Sequence, residues 1–183
     1  EVEFGEASNA IEIFRHIREK DWDLLILDMD MPGRNGLEVL KQLKDENNKM
    51  PVLVFSMHAQ DLIAVRAIKA GARGYLSKNA ASEELVKAVQ LILSGKKYIP
   101  ASLAEQLVER LENPEKNAPH ELLSDREYQT LLLIASGKTV SQIAEELSLS
   151  VPTISTYRGR ILEKMNLNNN DELAHYAITN QLM

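Results

Sequence analysis

The chain has 183 residues, long enough for one large domain or two small ones, and its 44% apolar and 26% charged residues are the profile of an ordinary soluble globular protein. With no cysteine it has neither a disulfide scaffold nor a cysteine-based zinc site; no apolar run nears the roughly 18 residues of a membrane span, and residues 1–5 do not resemble a secretory signal. The formal net charge of −6 divides evenly, with 15 Lys/Arg and 18 Asp/Glu in residues 1–112 and 6 and 9 in residues 113–183, so neither half binds nucleic acid by bulk charge and any such contact must come from a local cluster.

In chain order, residues 2–4 are expected to form a short strand. Ala10, Ile11, Ile13, Phe14 and Ile17 fall on one side of the helix that follows. Residues 24–27 are an uninterrupted apolar run, as expected of a strand covered on both faces. Leu37, Val39, Leu40 and Leu43 mark a helix, and residues 51–55 a second buried strand. Leu62, Val65, Ala67 and Ile68 mark a helix ended by Gly71, and residues 74–76 a third core strand. Residues 83–93 form a helix with Ser82 as N-cap and Gly95 just past its end. Strand alternating with helix predicts a parallel, doubly wound α/β sheet.

After Gly95 the pattern changes. Leu103, Leu107 and Leu111 recur every four residues, so residues 101–112 read as an amphipathic helix, too short for an independent coiled coil and suited to packing on the first domain. Residues 112–121, with Asn113, Pro114, Asn117 and Pro119, have the composition of a linker. From Leu122 onward only helices are expected. Ser124 and Glu127 form a capping box for a helix that stops near Gly137. A second helix covers residues 140–147. Ser150 caps a third, with Pro152 in its first turn, running to about Met165. Residues 171–180 make a fourth. The predicted domains are 1–98, a linker helix and linker over 99–121, and 122–183.

Asp28 stands at the carboxyl end of the first core strand. In an open parallel sheet, ligands bind outside those ends, where strand order reverses. Ser56 ends the next strand and Lys78 follows the last. A carboxylate, a hydroxyl and an ammonium converging at one edge suit phosphoryl transfer to a carboxylate, with Asp28 as nucleophile and Lys78 and Ser56 on the phosphoryl oxygens.

Here the chain resembles a known family. Asp28-Met29-Asp30-Met31-Pro32 with Gly36 is similar to the phosphoacceptor loop of receiver domains. Phe55-Ser56-Met57-His58-Ala59 resembles the loop of the switch hydroxyl. Gly71-Ala72-Arg73-Gly74-Tyr75-Leu76-Ser77-Lys78 resembles the NarL/FixJ-type segment that ends in the essential lysine. The resemblance implies a flavodoxin-like receiver with Asp28 phosphorylated, Lys78 as its partner, Ser56 and Tyr75 as a switch pair drawn inward by the new charge, and the Asp30 backbone carbonyl with Asp28 as Mg2+ ligands. Receivers hold magnesium with a further acidic pair after their first strand, a point that falls before Glu1. The expectation is therefore a receiver lacking its first strand and helix, either because the sequence is a fragment or because the receiver is degenerate, with a complete Mg2+ site only where that pair is present.

In the second half, the helices joined by Ser148-Leu149-Ser150 have helix-turn-helix spacing. Ile143, Ala144 and Leu147 are expected to pack under the third helix through Ile154, Ile161 and Leu162. Residues 151–165 carry Arg158, Arg160 and Lys164 against Glu163, a local excess of positive charge whose hydroxyl and guanidinium neighbours can reach base edges and phosphates. This half resembles LuxR-type effector domains in Leu123-Ser124-Asp125-Arg126-Glu127, Ile143-Ala144-Glu145-Glu146-Leu147 and Ile161-Leu162-Glu163-Lys164-Met165. The resemblance implies base contacts from Ser155, Thr156 and Gly159, backbone contacts from Thr153, Tyr157 and Lys164, phosphate contacts from Lys138 and Thr139, and a structural role for Glu127. Gly159 lacks the long side chain common there, leaving Arg158 or Arg160 as the stronger readers.

The reading is a cytoplasmic two-component response regulator that is not itself an enzyme beyond its own phosphorylation. Its partners are a histidine kinase and double-stranded promoter DNA, bound as a homodimer through the last helix, with no membrane. One alternative is a phosphorylation-independent regulator. A remote one is an Asp-nucleophile phosphatase, since Asp28-Met29-Asp30 also resembles that loop.

Overall fold

The structure is a computed structural model describing residues 2–29, 31, 34–57, 62–112, 118–180 and 182, with backbone alone for 109–112. The described chain divides into two compact units, Glu1–Glu112 and Asn113–Met183. Asp30, Pro32, His58, Ala59, Asn113, Pro114 and Asn117, each named above, lie outside the described residues.

The first unit is a parallel sheet with helices. Its strands are β1 (Leu25–Leu27), β2 (Val52–Ser56) and β3 (Gly74–Ser77), in the order β1-β2-β3. Leu27 pairs with Val54, and Ser56 with Ser77. Between and around them run α1 (Ala10–Glu19), α2 (Gly36–Asp45), α3 (Leu62–Ala70), α4 (Ser82–Leu93) and α5 (Ala101–Glu112). Leu53 and Leu76 form a core with Ala88 and Ile92 of α4. Val52, Val54 and Tyr75 alternate to the other face and are buried too. The middle strand is thus covered on both sides, as doubly wound packing requires.

Several local expectations change. Residues 2–4 pair with no strand, and Val2 and Phe4 are exposed. Ile11 is 83% exposed, because it stands a quarter-turn off the buried stripe of Ala10, Ile13 and Phe14. Ile26 of β1 is 46% exposed, so this strand is covered on one face only. No reversal of strand order occurs among the described strands, so the switch point expected beside Asp28 is not within this sheet. Ser82 does not cap α4; Ala81 occupies the N-cap without a side-chain bond, and Ser82 is the first helical residue. Gly71 and Gly95 end their helices at φ 112° and 83°, in the left-handed region that glycine enters without steric cost.

The second unit is helical. A 3-10 helix, Pro119–Leu122, packs on α8 (Val151–Met165), within a stretch expected to be linker. It precedes α6 (Asp125–Ala135), α7 (Val140–Glu146), α8 and α9 (Asn170–Thr179). Caps define the helices: reciprocal boxes at Ser124/Glu127 and Thr139/Gln142, and Ser150 accepting from the Thr153 N–H. Ile143, Ala144 and Leu147 are buried with Ile154 and Ile161, while Leu162 is half-buried. The turn between α7 and α8 is made by Ser148 at φ 53°.

Candidate functional site

The carboxyl ends of the strands bring the first set together. Asp28 follows Leu27, Ser56 stands two residues beyond the partner of Leu27, and Lys78 follows β3. The Lys78 Nζ lies 2.5 Å from Asp28 Oδ2, and the Lys78 N–H donates to the Ser56 carbonyl at 2.8 Å. Asp28 and Lys78 keep 36% and 28% of their side chains accessible, so the pair opens to solvent. Ser56 and Tyr75 are 0% and 2% exposed. Both side chains are buried.

The loop carrying Asp28 is seated on α2. Asn35 caps that helix, accepting from the Glu38 N–H at 2.9 Å, and the Gly36 N–H donates to the Met29 carbonyl at 3.2 Å. A Cβ at Gly36 would lie 2.8 Å from the Asp28 carbonyl oxygen. Glycine is therefore what lets the loop and the helix start approach so closely. Among the described residues no group of three His, Asp or Glu could hold a metal ion, so the donor set on view does not fit a magnesium site.

Sequence reasoning missed the strap beside Tyr75. The Tyr75 N–H donates to the Tyr98 carbonyl at 3.1 Å, and the Tyr98 N–H to the Arg73 carbonyl at 3.0 Å. The Tyr98 hydroxyl meets Glu84 Oε1 at 2.5 Å. Burial, and then the Glu84 carboxylate, push this phenol up to about 12. The following helix, α5, packs on α3. A one-residue bridge has no sequence pattern; the aromatic after Lys96-Lys97 is the sole signal.

The second set lies on α8. Pro152, Ser155, Thr156, Gly159, Arg160 and Glu163 share an exposed face. Thr153 and Tyr157 are half-buried, and Thr153 shares a hydrogen bond with Ser150 at 2.7 Å. Thr156 Oγ1 donates to the Pro152 carbonyl at 2.9 Å. Arg158 is half-buried, its Nε donating to Asn170 Oδ1 at 2.6 Å, a partner that sequence reasoning did not find. Lys164 Nζ lies 2.6 Å from Oε2 of buried Glu127, and Lys138 is paired with Glu146. Thr139 is the N-cap of α7, accepting from the Gln142 N–H at 3.3 Å. Arg160 has no ion pair or hydrogen bond among the described residues. Burial pushes the Glu127 carboxyl up, but hydrogen bonds from Lys164 and Ser124 outweigh it and hold the group below its ordinary value. His120, also missed, is buried with Nδ1 2.9 Å from the Tyr176 hydroxyl, tying the 3-10 helix to α9.

Comparison with known proteins agrees with both halves. Residues 1–90 match the response regulator receiver domain, and residues 121–177 match bacterial regulatory proteins of the luxR family. The response regulator UvrY of Escherichia coli K12 is 36% identical over 179 residues, 97% of this chain and 82% of that protein. The response regulator GacA of Pseudomonas aeruginosa is 35% identical over 175 residues, 95% of this chain and 82% of that protein. The chain belongs to the two-component response regulators with a luxR-type helix-turn-helix. Solved structures of other response regulators share the fold. RcsB of Salmonella enterica serovar Typhimurium, bound to promoter rprA with phosphomimetic BeF3-, matches 91% of this chain and 80% of that one, with a TM-score of 0.58 and 25% identity. The same protein bound to promoter P1flhDC matches 92% and 81%, with a TM-score of 0.52 and 27% identity. In this response regulator the receiver match spans Asp28, Ser56, Tyr75 and Lys78, and the luxR match spans every candidate DNA contact from Lys138 to Lys164. These matches give no support to the phosphatase alternative.

Proposed function

We propose that this response regulator accepts a phosphoryl group on Asp28 and that the modification controls binding of α8 to double-stranded promoter DNA. The observation that carries the proposal is the Lys78 ammonium 2.5 Å from the Asp28 carboxylate at the open end of the sheet. A carboxylate oxygen attacks phosphorus of a kinase phosphohistidine or a small acyl phosphate. The bond to the donor breaks, the donor leaves with the electron pair, and Asp28 becomes an acyl phosphate. Lys78 then neutralises a phosphoryl oxygen. Ser56 and Tyr75 are the groups through which the added charge is felt. Magnesium would need acidic ligands beyond those described. The protein modifies itself and turns over no separate substrate.

For DNA, Ser155, Thr156 and Arg160 face the bases, with Thr153, Tyr157, Lys138, Thr139 and Lys164 toward the phosphate backbone and Arg158 held by Asn170. RcsB has been solved on promoter DNA, and two RcsB dimers on two parallel DNAs, which supports a homodimer on promoter DNA. Helix-turn-helix dimers read half-sites about one helical turn apart.

The test is the intact mass of the chain before and after acetyl phosphate, with and without magnesium. One added phosphoryl group, absent in Asp28→Asn, is the expected result. No gain, or a gain that survives Asp28→Asn, refutes the phosphoacceptor assignment.

A further inference from the structure

Gly159 stands in the middle of α8, where glycine is the least favourable residue after proline. A Cβ built there meets nothing within 4 Å, and the backbone is not in the left-handed region. The other described glycines have internal reasons. Gly71, Gly95 and Gly137 take positive φ. Gly5, Gly36 and Gly74 are packed so closely that a Cβ would come within 2.6, 2.7 and 2.8 Å of a neighbouring atom. Among the described glycines, only Gly159 is required by neither a turn nor packing. No turn or packing contact among the described residues accounts for it.

Gly159 shares the exposed face of α8 with Ser155 and Thr156 one turn before it and with Arg160 and Glu163 after it. An α-helix with its side chains is about 10–12 Å across, and the DNA major groove is about 12 Å wide. A helix that fills the groove cannot gain a side chain on its leading face without backing out. We propose that Gly159 is the point of closest approach between α8 and DNA, where bare main chain meets a base edge or sugar and thereby brings Arg160 into reach of the bases. This rests on the reading of α8 as the DNA-contacting helix.

The experiment uses the full chain, with Gly159→Ala and Gly159→Gln, on duplexes recovered by the wild type from a random library of roughly 30 base pairs, about three helical turns. Both substitutions should raise the thermal midpoint followed by helical circular dichroism, by roughly 4–8 °C, because Ala and Gln are better helix formers. At fixed salt, affinity should fall about tenfold for Ala, the scale of one good base contact, and further for Gln. Affinity unchanged or improved in both variants overturns the inference. So does a lower thermal midpoint, which would show an internal need for the glycine. Loss of self-association without DNA, measured by sedimentation, would place the close approach between two copies and also overturns it. If the wild type recovers no duplex, the DNA reading of α8 fails first, and this inference fails with it.

Discussion

Removing the ammonium of Lys164 should cost the second unit more than removing the carboxylate it touches. The two groups lie 2.6 Å apart, but their side chains are 40% and 3% exposed. Lys164→Met leaves the Glu127 carboxylate buried with no cation, held by hydrogen bonds from Ser124, whose N–H lies at 2.8 Å. Stranding a buried charge in this way costs about 3 kcal/mol or more. Glu127→Gln strands an ammonium that can turn to water, and it keeps an oxygen for the Ser124 N–H; its expected cost is about 1 kcal/mol. The double variant should cost less than the two singles added, by about 1–2 kcal/mol. Urea unfolding of the whole chain can separate the units, because Trp22 is the one tryptophan and lies in the first. The circular dichroism midpoint should fall more for Lys164→Met than for Glu127→Gln, with the fluorescence midpoint unmoved. Equal losses, or the reverse order, would refute the argument from unequal burial. Acid tests the same carboxyl. A folded-state pKa held below the ordinary value adds stability above about pH 4.3, and this is lost as pH falls through the folded value. Glu127→Gln should lack that part of the acid loss.

Two further predictions concern the first unit. Gly36→Ala places a Cβ 2.7 Å from Met29 Sδ and 2.8 Å from the Asp28 carbonyl oxygen; the methionine can yield but the main chain cannot, so a net loss of about 1–3 kcal/mol is expected in the fluorescence-monitored urea midpoint, and an unmoved midpoint would show that the loop relaxes freely. Tyr98 has its phenol raised to about 12, so the stability it contributes is whole below its ordinary value of 10 and lost as pH rises toward 12. Tyr98→Phe should remove from an ultraviolet titration a phenol that ionises above the ordinary value of 10, and loss of one that ionises at that ordinary value would contradict the Tyr98–Glu84 contact.

What was legible in the sequence was local. Ser124 and Glu127, three residues apart, announced a capping box, and both of its hydrogen bonds are present. The motif around Asp28 and the one ending in Lys78 announced a site 50 residues apart in sequence, and the ammonium and carboxylate meet. Where the sequence misled, a local rule lost to a neighbour. Ser82 is a good capping residue, but the helix already begins at Ser82, and Ala81 is the N-cap whose backbone carbonyl takes the first bonds. Residues 2–4 have strand-forming side chains but no ladder to join. The long-range polar partners were invisible. Glu127 and Lys164 are 37 residues apart, Lys138 and Glu146 eight, and Arg158 and Asn170 twelve, and no periodicity links either member to the other.

Those partners bear on the proposed contact between α8 and DNA. Counted along the sequence, residues 151–165 carry three cations and one anion. In the folded unit Lys164 is paired with Glu127, Lys138 on the neighbouring helix with Glu146, and Arg158 is bonded to Asn170, so a phosphate contact from either lysine has to compete with a carboxylate. Arg160 is the exposed guanidinium of α8. Phosphate neutralisation supplies much of the sequence-independent affinity for DNA, in proportion to the cations that are free to pair. One copy of a unit with 6 basic and 9 acidic residues therefore holds DNA weakly, and two copies on adjoining half-sites hold it far better than twice as well. In such a protein, affinity for the promoter is governed by whether two copies are held together. On the proposed reading, an input at Asp28 then has no need to alter α8 itself. It needs only to shift the balance between one copy and two.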